Sequence, residues 1–240
     1  MTKLPKPRFF PPPQLAEPSG VVLFGGQLTP EWLLDAYAHG IFPWPIFDHA
    51  DLLVWWSPDP RAIFELDTFR APRRLMQTAR SGRFEVTLDR DFAGVIRGCA
   101  TAQDRTNNTW ITPAMIEAYE RLHALGHAHS VEVWRGGRLA GGIYGVALGA
   151  VFAGESMFHV ERDASKVALT RLIHHLLRRG YQLFDIQQLT PHTESLGAIE
   201  ISRAEYLRRL ARSQTVEITF GTEFAPLPAE REAVGRLARA

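Results

Sequence analysis

Residues 128–158 read AHSVEVWRGGRLAGGIYGVALGAVFAGESMF. Three extended segments are expected here, His129–Trp134, Arg138–Leu148 and Ala150–Phe158. A long helix should follow, capped by Asp163, with Val167, Leu169, Leu172, Ile173 and Leu176 at helical spacing. Arg178, Arg179 and Gly180 close it. Another strand, Gln182–Gln187, comes next and places Asp185 and Gln187 at i and i+2, on one strand face. Burying two polar side chains on an apolar strand costs free energy unless they satisfy loop backbone or perform a task. On spacing alone both readings stand.

Outward from that core the pattern is mixed. Residues 5–18 are proline-rich and should lie extended along the surface. Thr29 reads as an N-cap with Pro30 at the first helical position, Trp32, Leu33, Ala36 and Tyr37 give an apolar face, and Gly40 ends the helix. Pro43, Pro45, Pro58 and Pro60 forbid long regular structure after it. This predicts a small irregular domain over 1–61 and a larger one over 62–240. In the larger one, strands are expected at Ala62–Leu66 and Phe84–Leu88, and helices at Pro72–Arg80, Phe92–Cys99 and from Thr112-Pro113 to Gly126. Ser202 to Glu205 reads as a capping box, Gln214–Phe220 as a final strand, and the tail from Glu230 as a short helix. The fold class is α/β in the α+β sense.

Composition narrows the function. Of 240 residues, 45% are hydrophobic and 22% charged, which suits a soluble globular protein. Cys99 is the one cysteine, so no intrachain disulfide can form. No apolar region follows the basic N-terminus and no apolar run approaches the ~18 residues of a membrane span, so a cytoplasmic protein with no membrane partner is expected. Net charge is only +1, yet Arg61, Arg70, Arg73, Arg74, Arg80 and Arg83 face only Glu65 and Asp67 within 61–83. Such a cluster suits phosphate as well as it suits a solvated helix face. The nine histidines show no ligand spacing, so no metal is expected.

Further motifs recur in order. They are Gly25-Gly26-Gln27-Leu28-Thr29-Pro30, Ala36 to Trp44, Trp55 to Arg61, Thr109-Trp110-Ile111-Thr112-Pro113 and Ala128 to Trp134. Gly141 to Ala147, Gly154-Glu155-Ser156-Met157-Phe158, Asp185-Ile186-Gln187 and Ser195 to Ala198 complete the set. Over roughly residues 9 to 210 the chain closely resembles the leucyl/phenylalanyl-tRNA–protein transferases of bacteria. The resemblance implies a GNAT-like acyltransferase domain after the small N-terminal one. It implies transfer of Leu or Phe, less well Met, from aminoacyl-tRNA to the N-terminal amine of proteins beginning with Lys or Arg. The product is a degradation signal, and no cofactor is required.

The same resemblance assigns residues. Asp185 matches the acidic residue of the transfer step and Gln187 its partner glutamine, with Asp185 orienting Gln187 and accepting charge, and Gln187 meeting the incoming amine. Glu155 matches the position that holds the α-amino group of the transferred residue. Ile143 and Met157 match the side-chain pocket, with Met157 expected on the same strand face as Glu155. Trp44 and Trp110, and Tyr37 through its hydroxyl, match positions near the terminal adenosine. Arg73, Arg74, Arg80 and Arg83 are expected to meet tRNA phosphates. The chain departs from the family at Gln27 and Asn108, and Ile186 stands where a cysteine is common, which excludes a nucleophilic thiol there. Two rivals are weighed. An acetyl-CoA-dependent N-acetyltransferase lacks its glycine turn in Phe158-His159-Val160-Glu161-Arg162, and a non-catalytic tRNA- or peptide-binding module would not need Glu155, Asp185 and Gln187.

Overall fold

The computed structural model describes residues 4–45, 52–102, 109–224 and 227. Asn108 and the tail from Glu230 lie outside them. The N-terminal part holds β1 (Val21–Phe24), α1 (Pro30–Ala38), β2 (Phe42–Pro43) and β3 (Val54–Trp56), the strands forming an antiparallel sheet in the order β1-β3-β2. This region, expected to be irregular, therefore carries its own small sheet. The Thr29 side chain caps α1, accepting from the Trp32 backbone amide.

Next come β4 (Arg61–Phe64), α2 (Arg73–Arg80), β5 (Glu85–Leu88), α3 (Phe92–Thr101), α4 (Pro113–Ala124), β6 (Ala128–Arg135), β7 (Arg138–Leu148) and β8 (Val151–His159). The chain continues through α5 (Ala164–Arg179), β9 (Leu183–Gln187), α6 (Pro191–Ser195), β10 (Ile199–Ile201) and α7 (Arg203–Ser213). Seven strands join in the order β10-β4-β9-β8-β7-β6-β5. β6 through β8 form an antiparallel meander, β5 pairs antiparallel with β6 across the α3–α4 connection, and α5 then crosses over so that β9 lies parallel to β8. The order expected from sequence holds from β4 to β9, with α6 and β10 added before the expected helix at α7.

Two apolar layers cover the sheet. Val167, Leu169, Leu172 and Ile173 of α5 pack with Ile143 and Phe152 on one side, while Ile96 of α3 and Tyr119 of α4 pack with Tyr144 and Val146 on the other. Leu33, Ala36, Tyr37, Phe42 and Trp55 join that second cluster, so the N-terminal part shares its core. Gly141 and Gly142 let helices approach from both sides. A Cβ on Gly141 would stand 2.8 Å from Cβ of Ala164, and one on Gly142 would stand 2.9 Å from Val95.

Three local expectations need correction. Gln214–Phe220 forms no strand; Phe220 instead stacks on His129 at 4.2 Å and accepts a hydrogen bond from His175 at 2.6 Å. Ring packing against the sheet's face fixes it where an edge ladder was expected. Asp163 precedes α5 in a left-handed conformation (φ 73°) but its side chain caps nothing. Ser202 caps α7 by accepting from Glu205 N, yet the Glu205 carboxylate turns to Arg209 at 2.7 Å, so only half a capping box forms. The reciprocal box lies at Thr190 and Thr193. Among the described residues no helix is long and apolar enough to cross a membrane.

Candidate active site

The parallel ladder between β8 and β9 runs from Val151↔Leu183 to Ala153↔Asp185 and stops. At that point both strands are irregular. Tyr144 pairs with Ser156 and Gly145 with Gly154, which leaves Glu155 as the extra residue of a bulge. Ala62 pairs with Gln187 and Ile63 with Asp185, which leaves Ile186 extra. Bulges re-aim side chains. Here they turn Glu155 and Gln187 toward each other, and Gln187 Nε2 donates to Glu155 Oε1 at 3.0 Å where the strands part. The re-aiming needs Gln187 at φ 61°, an uncommon conformation for a side-chain-bearing residue.

Asp185 holds that conformation. Its Oδ1 accepts from the Gln187 backbone amide at 2.9 Å. The rest of the carboxylate is also engaged: Arg61 Nε donates to Oδ1 at 2.8 Å, Arg61 Nη2 to Oδ2 at 2.7 Å, and Tyr206 OH to Oδ2 at 2.9 Å. Arg61 Nη1 reaches Gly40 O at 3.0 Å, and the guanidinium lies over the rings of Phe42 and Tyr206. Burial opposes the Arg61 charge, but Asp185 beside it outweighs that and raises the pKa.

Glu155 has no such cation. Tyr119 OH donates to its Oε2 at 3.1 Å, and the Tyr37 and Tyr119 hydroxyls lie 2.5 Å apart. Burial pushes Glu155 up to about 7, helped by the Asp185 charge and opposed by the tyrosine hydrogen bonds and Arg61. Burial and the nearby Glu155 raise Tyr37 and Tyr119 well above their usual value, so both stay neutral donors. The seam thus contains one carboxyl that exchanges a proton near neutrality, beside an amide it orients. A fixed ion pair lies behind them.

The other sequence-assigned residues divide. Ile143 and Met157 are direct cross-strand partners, packed with the α5 cluster. The Glu155 bulge shifts the alternation by one, so Glu155 faces Tyr119 and the opposite cluster, and Met157 does not share its face. Trp44 and Trp110 stack at 5.0 Å and 25°, with Trp110 buried and Trp44 half-buried. The Tyr37 hydroxyl lies against that of Tyr119 and the carboxyl of Glu155. Arg73 and Arg74 are exposed on α2, Arg80 ends that helix, and Arg83 pairs with Glu161 at 3.4 Å. Gln27 is exposed in the loop after β1.

Sequence reasoning missed Arg61, Tyr119 and Tyr206 as parts of this network. Arg61 was visible as one arginine of a basic cluster and as the end of the Trp55–Arg61 motif, with no partner attached. Its burial, at 1% exposure, depends on Asp185 124 positions away.

A family model described as leucyl/phenylalanyl-tRNA protein transferase matches residues 63–211, and the model of that family's N-terminal domain matches residues 26–59. The chain belongs to this family. A leucyl/phenylalanyl-tRNA–protein transferase of Solidesulfovibrio magneticus is 53% identical over 90% of this chain and 87% of its own length. One from Syntrophotalea carbinolica is 52% identical over 84% and 87%. The solved structure of L-PGS from Bacillus licheniformis overlays with TM-score 0.40 at 11% identity, covering 68% of this chain and 51% of that one. As a member of the leucyl/phenylalanyl-tRNA–protein transferase family, the chain is an aminoacyltransferase that moves an aminoacyl group from tRNA to protein.

Proposed function

We propose that the enzyme transfers Leu or Phe, and Met less well, from the tRNA ester to the N-terminal amine of proteins beginning with Lys or Arg, in the cytoplasm. The observation that carries the reading of the site is the Gln187–Glu155 hydrogen bond across the parting of β8 and β9. In the reaction the acceptor amine attacks the ester carbonyl. A C–N bond forms, the C–O bond to the ribose breaks, the amine loses a proton and the ribose hydroxyl gains one. Ester aminolysis is downhill, so positioning supplies much of the rate, up to about 7–11 kcal/mol of barrier in favourable cases.

Gln187 spends its Nε2 on Glu155, which leaves its amide oxygen to accept from the attacking amine. Glu155, near neutrality, takes the proton that the amine sheds. The resemblance also gives Glu155 the α-amino group of the transferred residue, and both roles set a carboxylate against an amine. Asp185 is a positioning residue: every contact it makes holds Arg61, Tyr206 or the Gln187 backbone. By the resemblance Ile143 and Met157 line the slot for the unbranched side chain, which then reaches from Glu155 through the parting of β8 and β9 to the α5 side. Trp44 offers a ring face to the terminal adenine, a stack worth about 1–3 kcal/mol.

The test is transfer of radiolabelled leucine from leucyl-tRNA to peptides that differ only in their first residue. Label on Arg- and Lys-initiated peptides, and none on an Asp-initiated one, is expected. Equal labelling of all three would overturn the acceptor choice. Label from valyl-tRNA matching that from leucyl-tRNA would overturn the pocket.

A further inference from the structure

A cleft of about 390 Å3 lies beyond the C-terminal end of β8, lined by His159, Arg162, Asp163, Ser165, Lys166 and His192. His159 is four residues past Glu155, a distance of about 13 Å along a strand. His192 lies five residues past Gln187. The cleft therefore stands over the same seam as the transfer pair, one step further out.

Its lining is cationic. Arg162 and Lys166 face a single carboxylate, Asp163, which lies 4.0 Å from Arg162. Among the described residues Lys166 forms no ion pair. Burial first, then the charges of Lys166 and His159, holds His192 below its usual pKa. His192 thus lies within reach of their charge, and a bound anion would favour its protonated form. Ser165 sits among them, 5% exposed, with its hydroxyl 3.4 Å from His159 Nδ1. The cleft also opens on the first turn of α5, a 16-residue helix that no side chain caps.

The surroundings point to one kind of anion. Glu161, at the base of the same connection, holds Arg83 at 3.4 Å and Arg135 at 2.5 Å. Arg83 follows α2, which packs on α5, so α2 and the cleft border the same helix. An acceptor peptide beginning with Lys or Arg would be repelled here. A phosphodiester would not.

We propose that this cleft is a phosphate subsite, gripping the single-stranded 3′ end of the aminoacyl-tRNA by a backbone phosphate upstream of the terminal adenosine. The subsite rests on reading Glu155 and Gln187 as the transfer centre. Arg162 and Lys166 supply the charge, and Ser165 and the histidines supply hydrogen bonds. The grip holds the strand in register, so that the ester arrives at the seam while the acceptor arm lies on α2.

Three donors separate this from other effects: aminoacyl-adenosine, which has no upstream phosphate, an aminoacyl-CCA trinucleotide, and the full aminoacyl-tRNA. In the unaltered enzyme the trinucleotide should exceed aminoacyl-adenosine in kcat/KM by at least about tenfold, the worth of a charge-assisted hydrogen bond. R162A/K166A should lose most of that gain through KM, keep its rate with aminoacyl-adenosine, and flatten the log–log salt slope for the trinucleotide by about 0.7 per lost contact. K166Q, which keeps the length of the stem, should lose part of it. A gain that survives in the double variant overturns the subsite, as does an equal loss with aminoacyl-adenosine. Titration with inorganic phosphate is the remaining arm. If the double variant loses phosphate binding but keeps the trinucleotide gain, the cleft takes a free anion and the proposal fails. Fluorescence anisotropy of a deacylated CCA trinucleotide reads the subsite without any transfer, so loss of the functional reading and loss of the subsite register separately.

Discussion

Arg61 and Asp185 form a two-pronged ion pair, Nε–Oδ1 2.8 Å and Nη2–Oδ2 2.7 Å, with both side chains 1% exposed. The pair ties the first strand after the N-terminal part to the strand that carries Gln187. Removing one partner leaves the other charge buried and alone, which costs about 3–5 kcal/mol. Asp185→Ala should therefore lower the melting temperature as well as transfer, by roughly 6–20 °C for a chain of this size. The double replacement R61M/D185L should recover part of that stability, because it removes both buried charges while the Gln187 amide and the Tyr206 hydroxyl still lose their acceptor. It should not recover transfer, since nothing then holds the Gln187 backbone. Thermal melts and transfer rates on the three variants check both halves. A melt for Asp185→Ala that matches the unaltered enzyme would show that Arg61 finds another partner.

Gln187 should behave differently. Its φ of 61° suits asparagine, which enters the left-handed region more readily than most residues. Gln187→Asn keeps the backbone and the amide but is one methylene too short to reach Glu155. Transfer should fall by at least about tenfold, while stability changes by less than about 1 kcal/mol, the usual net worth of one hydrogen bond. A melting curve and a rate measured on the same preparation separate this from an effect on folding. Retained transfer would move the amine contact elsewhere.

The contrast between these two residues marks how far the sequence could be read. The meander, α5 and β9 follow from alternation and helical period, both local patterns. Asp185 and Gln187 stood out because polar groups on an apolar strand need a reason. The bulges at Glu155 and Ile186 left no local trace, since register is set by the neighbouring strand. For that reason Met157 was expected on the Glu155 face. Arg61 read only as one of a cluster suited to phosphate or to solvent, because its burial is licensed by a carboxylate distant in sequence. Phe220 looked like part of a strand because alternation cannot distinguish a ladder from rings packed on a sheet.

Glu155 makes stability and activity respond oppositely to pH. Its folded pKa is raised from 4.5 to about 7, chiefly by burial. Below 4.5 the carboxyl is protonated folded and unfolded, and it contributes no pH dependence. Between about 4.5 and 7 the folded state binds the extra proton, so stability falls as pH rises, and above 7 the loss is complete. Transfer should rise through the same range as the carboxylate forms. Glu155→Gln keeps partners for Tyr119 and Gln187 but cannot ionise. It should melt above the unaltered enzyme at pH 8, with the difference gone near pH 4.5, while transferring poorly throughout. Melts at the two pH values decide the assignment. A variant that melts lower at pH 8 would mean that the buried charge is compensated by groups other than those described.

The exposed arginines of α2 should act on tRNA and on nothing smaller. Arg73 and Arg74 stand on the outer face of α2, whose single buried residue is Leu75. Phosphate contacts release counterions and carry no base specificity, so affinity depends on their number and on salt. Replacing both arginines by Ala should weaken aminoacyl-tRNA binding and flatten the slope of log K against log salt by one to two units, at ~0.7–0.9 per contact. Aminoacyl-adenosine should turn over at the unaltered rate, because it carries no phosphate for them to meet. The aminoacyl-CCA trinucleotide should also be unaffected, which distinguishes α2 from the cleft at α5. Filter binding across a salt series, with rates for all three donors, measures each expectation. Equal loss for tRNA and aminoacyl-adenosine would place these arginines in support of the fold, and an unchanged salt slope would place the acceptor arm on another surface.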